Sequence, residues 1–423
     1  MTQQPGLRRA MGGFDATTVG IGAMIGAGAF VVFAPASASA GALLPLAVVI
    51  AGFVAYCNAS ATASLAIHYP SSGGTYVYGR ERLGHWSGFL AGWGFVTGKV
   101  ASCAAMALTF GLYAAPGAEK AAGVAAVVGL TVVNLLGVTR TALATRIIVS
   151  LVVPVIAFVI VVGLTSPAVP DAGPGTDVGV VGVLQASALL FFAFAGYARI
   201  ATMGEEVRNP RRTIPAAIFG ALGFTLVLYL LLALSLLHAL GPGALAGSSA
   251  PLRDAIDAAV PGEGSTGRSG AVVTIAAALA SLGALLALIA GVGRTSLAMA
   301  RGGDLPAVLA RISARFSVPW VADIATATIV VLLLLTTDVL TVVGFSSFGV
   351  LLYYAIANIA AFTLTERQWY APRWLNAVGA AGCLLLSFTL PAASVLTMLT
   401  VLAAGLAVRA LVLARRRRAA PRG

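Results

Sequence analysis

Two long apolar stretches of this chain are interrupted by glycine near their middles. Val19–Phe30 reads VGIGAMIGAGAF, and Phe191–Tyr197 reads FFAFAGY. Each interruption falls near the middle of a longer stretch that is long enough to cross a bilayer. Exposed backbone groups in hydrocarbon cost several kcal/mol apiece, so a broken helix persists there only where it lines a protein-enclosed cavity. A matched pair of such breaks is the strongest sequence pointer to the substrate site of a secondary transporter, at the membrane midplane.

The remainder of the chain fits a polytopic membrane protein. Apolar residues make up 59% of it and charged residues 9%, with a mean hydropathy of +0.97; a soluble protein carries about a quarter charged residues. Twelve spans are expected, at about 14–39, 42–66, 86–114, 121–138, 146–165, 180–203, 213–240, 270–299, 320–337, 339–364, 374–390 and 392–413, each near the roughly 20 residues that a bilayer requires. Residues 14–165 and 180–364 then form two similar five-helix halves, each opening with a broken helix. Residues 374–413 supply two further helices. Residues 1–13 and 414–423 are a short N-terminal segment and a basic tail.

An even number of spans puts both termini on one side. The loops of that side hold Arg8, Arg9, Arg80, Arg82, Arg140, Arg146, Arg208, Arg211, Arg212, Arg301, Arg311, Arg315, Arg367 and Arg373, and the tail adds Arg409, Arg415, Arg416, Arg417, Arg418 and Arg422. The opposite side holds Lys120, Arg253 and Arg268. The positive-inside rule places the arginine-rich side, with both termini, in the cytoplasm of a cell-membrane protein. Most of the net charge of +12 is this bias. A basic run directly after a span meets anionic lipid headgroups rather than nucleic acid.

Enzyme and metal readings find no support. There is no His-Glu-x-x-His, no Gly-x-Ser-x-Gly and no intramembrane aspartate pair. His68, His85 and His238 are scattered near span ends and read as interfacial polar residues. Cys57, Cys103 and Cys383 fall in predicted spans without metal or redox spacing. No cofactor is expected, and the first apolar stretch is longer than a signal-peptide core.

Three further stretches, with the first-helix glycines, resemble the amino acid–polyamine–organocation superfamily in its bacterial amino acid permease branch. They are Tyr69–Tyr78 (YPSSGGTYVY), Phe191–Tyr197 running into Gly204–Pro210 (GEEVRNP), and Gly293–Pro306 (GRTSLAMARGGDLP). The resemblance covers about residues 5–413. It implies an all-α fold with a five-plus-five inverted repeat, broken helices 1 and 6, alternating access, and an amino acid or close amine as substrate.

The chemistry of the first break agrees with such a substrate. Unwinding at Gly26 frees backbone N–H groups at the start of the next half-helix, and these suit a carboxylate. Freed carbonyls suit an ammonium. The competing reading of these glycines is close helix packing through small residues. Transferred position by position, the resemblance puts the carboxylate on the amides of Ala27 and Gly28 and the amine on the carbonyls of Met24, Phe192 and Ala195. Tyr197, after the break at Gly196, is placed to close over the substrate or to pack as an ordinary aromatic. No carboxylate is evident in this pocket, so a neutral amino acid fits better than a basic one.

Lys99 lies near the middle of the third predicted span, roughly 20 Å from either end at 1.5 Å per residue, too far to snorkel. It is expected to face the protein interior as a proton-binding coupling group, as a fixed cation in place of sodium, or as a structural donor to freed carbonyls. Some proton-coupled relatives carry a lysine in the fifth span; here Ser150–Ala157 has none. Sodium-binding relatives use paired hydroxyls in the eighth span, and Gly283–Val292 has none. Arg199, with Glu205, Glu206 or Asp15, is a candidate cytoplasmic gate or a fixed structural pair. Arg294 is assigned equally to gate and fold. Residues 72–83 read as a short interfacial helix leaning on the moving helices. An exchanger or exporter, an amine or polyamine transporter, and a membrane sensor that binds an amino acid without moving it are the alternative functions.

Overall fold

A computed structural model describes residues 11–69, 73–136, 141–168, 179–201, 203, 207–260, 268–316 and 318–419. In chain order the helices are α1 (Gly13–Val31), α2 (Phe33–Ala40), α3 (Leu44–His68), α4 (Thr75–Leu83), α5 (His85–Ala114), α6 (Glu119–Leu135), α7 (Thr141–Thr165), α8 (Val180–Phe194), α9 (Ala198–Ala201), α10 (Pro210–Gly247), α11 (Pro251–Ala259), α12 (Arg268–Arg301), α13 (Trp320–Thr336), α14 (Val339–Phe362), α15 (Arg373–Thr389) and α16 (Ala392–Ala419). Among the described residues there is no named strand, and one isolated bridge pairs Met11 with Val207. Among the described residues, nine helical segments are long and apolar enough to cross a membrane, and Trp320–Thr336 is a shorter apolar helix.

Burial ranks the helices. The apolar stretches of α5, α8–α9 and α14 are 78%, 72% and 72% buried, whereas those of α7 and α16 are 28% buried and present Val161, Val408 and Leu411 outward. The buried three are rich in small residues, which lets their backbones approach closely where no hydrophobic effect separates helix from lipid. On the α5–α14 seam a Cβ on Gly349 would sit 2.6 Å from the Gly94 carbonyl oxygen. Ser102 and Ser346 bond across the same seam at 2.6 Å. Asn58 on α3 is a buried polar tie, accepting from Asn358 at 2.6 Å and from the Cys383 thiol at 3.2 Å.

The helices follow the apolar pattern closely, with two informative departures. The expected segment 213–240 belongs to a longer α10, whose regular part ends at Gly241 (φ 72°, ψ 164°), followed by Pro242. The glycine takes the left-handed φ, the proline cannot donate to the turn behind it, and the chain turns there before a short continuation. The second break, at Gly196, is not fully unwound. Ala195–Tyr197 forms a single 3-10 turn between α8 and α9, which shifts the hydrogen-bond register and keeps part of the backbone paired.

The short helix expected over residues 72–83 is α4. It starts after Gly74 (φ 54°) and packs on α5 and α14, with the Thr75 amide donating to Tyr353 Oη at 2.9 Å. Its polar face joins a buried network around Asp304. Arg409 of α16 contacts Asp304 at 2.7 Å, Tyr76 donates to it at 3.0 Å, and Arg80 lies 3.8 Å away. Arg409 also donates to the His85 carbonyl at 2.7 Å and lies over the rings of Trp86 and Phe89. The Arg409 side chain is 7% exposed, so its charge depends on these partners. Removing one partner of a buried pair typically costs about 3–5 kcal/mol. Asp304→Ala is therefore expected to lower the Tm of detergent-purified protein by several degrees. Arg80→Gln, at a side chain 28% exposed, is expected to move it little; equal Tm values for the two variants would contradict this assignment.

Candidate functional site

The first break falls at Gly26. Gly26 leaves the helix with φ −25° and ψ −138° inside α1. A Cβ there would meet Ala284 of α12 at 2.6 Å and Met106 of α5 at 2.9 Å, so space favours glycine at this position. Ala27 and Gly28 follow as the first residues beyond the break.

The two breaks lie against each other. A Cβ on Gly28 would fall 2.6 Å from both Cα and Cβ of Ala193, and one on Gly196 would collide with the Ala23–Met24 peptide. Four of the expected site residues, Met24, Gly28, Ala195 and Gly196, are buried at this crossing, and Phe192 is buried nearby on α8. Close packing and site geometry thus coexist in the same glycines.

The freed carbonyls have side-chain donors. The Tyr229 hydroxyl, on α10, donates to the Met24 carbonyl at 2.7 Å and lies 3.4 Å from that of Ala193. Lys99 Nζ donates to the Ala195 carbonyl at 3.4 Å, and Tyr113 Oη to that of Phe30 at 2.9 Å. Tyr229 and Lys99 therefore reach carbonyls at both breaks, including two of the three assigned to the substrate amine. The sequence reading found Lys99 and missed both tyrosines. The available signal for Tyr229 was a hydroxyl at mid-span, away from the interface where tyrosine usually sits.

Lys99 is 5% exposed. With Ala23, Ala195, Gly196 and Arg199 it lines a cavity of about 30 Å³ closed by Ala287, Leu288, Gly291 and Val292 of α12. That is room for about one water, so an amino acid enters only if the helices part. The α12 wall of the cavity is apolar, and Lys99 and Arg199 are the charged residues among those that line it.

The other expected residues fall as follows. Tyr197 is fully buried and faces α14, its ring 5.1 Å from that of Tyr354; it is not among the residues lining the cavity. Asp15 forms an ion pair with Arg146 of α7 and accepts from the Gly12 amide at 3.2 Å. Arg199 lies on the cavity wall. Glu205 and Glu206 lie outside the described residues. His68 and His238 bond to the carbonyls of Ser64 and Ser166. Among the described residues no cluster of His, Cys, Asp or Glu could hold a metal. One buried acid escaped the sequence reading. Asp323 of α13 accepts from Asn134 at 3.0 Å and presses against Gly293 beside Arg294, tying the Gly293–Pro306 motif to α6 and α13.

Comparisons with known proteins agree with this architecture. The family model described as amino acid permease matches residues 11–411, and the chain belongs to that family. It is 51% identical over 408 residues to an uncharacterized transporter of Mycobacterium tuberculosis, covering 95% of this chain and 90% of the other. It is 26% identical to the branched-chain amino acid permease BcaP of Bacillus subtilis (88% and 84% covered) and 28% identical to the methylthioribose transporter of the same organism (85% and 80% covered). The family and these relatives are transporters, not enzymes.

The hydroxyl of Tyr229 is the donor that most directly spans both breaks. Tyr229→Phe leaves buried carbonyls of α1 and α8 without it, at a cost of about 1–3 kcal/mol. The expected outcome is a Tm lowered by a few degrees in detergent with the protein still monodisperse. A Tm equal to wild type would show that the break holds its shape without this hydroxyl.

Proposed function

We propose that this protein is a secondary permease that carries a neutral amino acid across the cell membrane by alternating access. In this reading it has twelve spans, residues 14–165 and 180–364 are inverted five-helix repeats, α15 and α16 follow, and both termini are cytoplasmic. The observation that carries the proposal is the contact between two broken helices, Gly28 on Ala193 and Gly196 on Ala23–Met24, with a small cavity beside it. A substrate carboxylate binds the amides of Ala27 and Gly28, at the positive end of the half-helix. Its ammonium takes the remaining lone pairs of the Met24, Phe192 and Ala195 carbonyls. Each carbonyl has two, so Tyr229 and Lys99 share these acceptors with the substrate instead of excluding it. Tyr197 and the aromatic cluster around Tyr354 brace the second break from the α14 side. Arg199, Asp15, Glu205 and Glu206 are assigned to closure at the cytoplasmic end, with Arg146 as the partner of Asp15.

Lys99 is the coupling element. It reaches the second break from between α1 and α12, and the apolar α12 wall supports a side-chain cation in place of a bound sodium. The Lys99 ammonium and a substrate ammonium both turn to the Ala195 carbonyl. Two like charges at one acceptor repel, so the charge of Lys99 and occupancy of the site are thermodynamically linked.

Uptake into proteoliposomes tests the reading. A neutral L-amino acid is expected to be transported without sodium and to bind at least about tenfold better than its carboxyl amide, the loss of one charge-assisted carboxylate interaction. Equal affinity for acid and amide points to an amine or, as the methylthioribose relative illustrates, a substrate of another class. Binding without uptake or exchange would identify a sensor. Lys99→Ala is expected to abolish the pH dependence of transport but retain some exchange if Lys99 cycles a proton. It is expected to abolish transport at every pH, with partial rescue by Lys99→Arg, if the charge is fixed. Wild-type pH and sodium behaviour in Lys99→Ala removes the residue from the mechanism.

A further inference from the structure

A second cavity lies far from the breaks, on the outer surface between α3, α10 and the segment joining α14 to α15. It is an open groove of about 680 Å³, within the roughly 300–1,000 Å³ of ligand pockets. Its floor and walls are apolar, made by Gly52, Tyr56, Phe219, Leu222 and Leu226. Glycine produces the depression. A Cβ on Gly223 would meet nothing within 4 Å, and Gly52 lets Leu226 settle onto α3.

One end of the groove is charged and aromatic. Arg211 and Arg212, both exposed, stand there on the first turn of α10, opposite Gln368, Tyr370 and Trp369, which is 91% exposed. Among the described residues, no acid lines the groove. Glu366, the acid of the facing segment, lies 3.9 Å from His68. From Arg211 to Leu226 the groove follows α10 for about 22 Å at 1.5 Å per residue, the depth of one leaflet with its headgroup layer, which is about 20–22 Å. An apolar trough of that depth, with paired guanidinium groups and a tryptophan at its polar end, matches a lipid in both length and polarity.

We infer that this groove is a binding site for an anionic phospholipid, with an acyl chain over Gly223 between α3 and α10 and the phosphate on Arg211 and Arg212. The lipid fills the seam between α3 and α10, and α10 carries Tyr229 to the breaks. The orientation proposed above makes it a lipid of the cytoplasmic leaflet, but the site itself does not depend on the transported substrate.

Native mass spectrometry of the full-length protein, with equal amounts of dioleoyl phosphatidylglycerol and dioleoyl phosphatidylcholine, measures the preference directly. Wild type is expected to retain phosphatidylglycerol over phosphatidylcholine by at least about fivefold, the effect of one or two surface arginines. The double variant R211Q/R212Q is expected to bring the ratio to about one. G223L fills the trough, puts a good helix former into α10, and is expected to reduce retention of both lipids. A phosphatidylglycerol carrying a diazirine at the end of one acyl chain, in nanodiscs of wild-type protein, is expected to label peptides containing Tyr56, Phe219 or Leu226, whatever the folding of the variants. Equal retention of the two lipids by wild type, retention unaltered in both variants, or labelling confined to other helices would overturn the assignment. So would a dimer mass that excludes the label, which would make the groove a contact between copies of the chain. Loss of transport with lipid retention intact would count against the proposed permease function and leave the lipid site standing.

Discussion

Inside a bilayer every backbone N–H and C=O must find its partner within the protein. The architecture near the midplane follows from how this chain meets that rule at two places where helices are interrupted. At Gly26 the helix turns out of its path, and between Phe194 and Ala198 it tightens to a 3-10 turn. Carbonyls at the two breaks are met from two other helices, by Tyr229 of α10 and Lys99 of α5, and Tyr113 of α5 bonds the Phe30 carbonyl farther along α1. The same donors hold neighbouring helices in register around the breaks. Structural cohesion around the breaks therefore rests on these hydrogen bonds, and a ligand bound as proposed above would share acceptors that already have donors.

Much of this was legible in the sequence because membrane segments obey a simple rule of length and apolarity. Helices lie over each expected segment, mostly within a few residues, and the glycine at position 26 marks the first break. Lys99 stood out because a charge at mid-span has few possible environments. Other features were beyond a linear reading. Tyr229 and Tyr113 sit in apolar runs like those around other aromatics, and only the tertiary packing aims their hydroxyls at carbonyls 205 and 83 residues away. Asp15 was expected as a partner of Arg199, and the approach of α7 puts Arg146 in an ion pair with it. Tyr197 adjoins the break in sequence, yet the turn directs its ring to Tyr354. The 3-10 character of the second break also has no sequence signature separable from a fully unwound one, since a glycine permits both.

Charges outside the midplane are used differently. Asp304 gathers α4, the end of α12 and α16 into one polar knot, and Asp323 does similar work between α6, α12 and α13. Both lie in or after the motif that ends the long α12. That motif reads as a helix end in sequence and acts in the fold as an anchor point for four helices. The apolar outer faces of α7 and α16, by contrast, carry no such ties and depend on the surrounding lipid to complete them.

The bridge between Met11 and Val207 is small, but it changes how the interior can move. The Arg208 amide donates to the Met11 carbonyl at 2.9 Å, stitching the strand-like lead-in to α1 onto the segment that leaves α9. Both interrupted helices are thereby fastened to each other at their outer ends as well as at their breaks. Two rods joined at two points behave as a hinged frame. They can tilt together against α5 and α12, but neither can swing away alone without first parting the stitch. In any motion of the kind proposed above, its integrity sets whether α1 and α9 travel as one body or two.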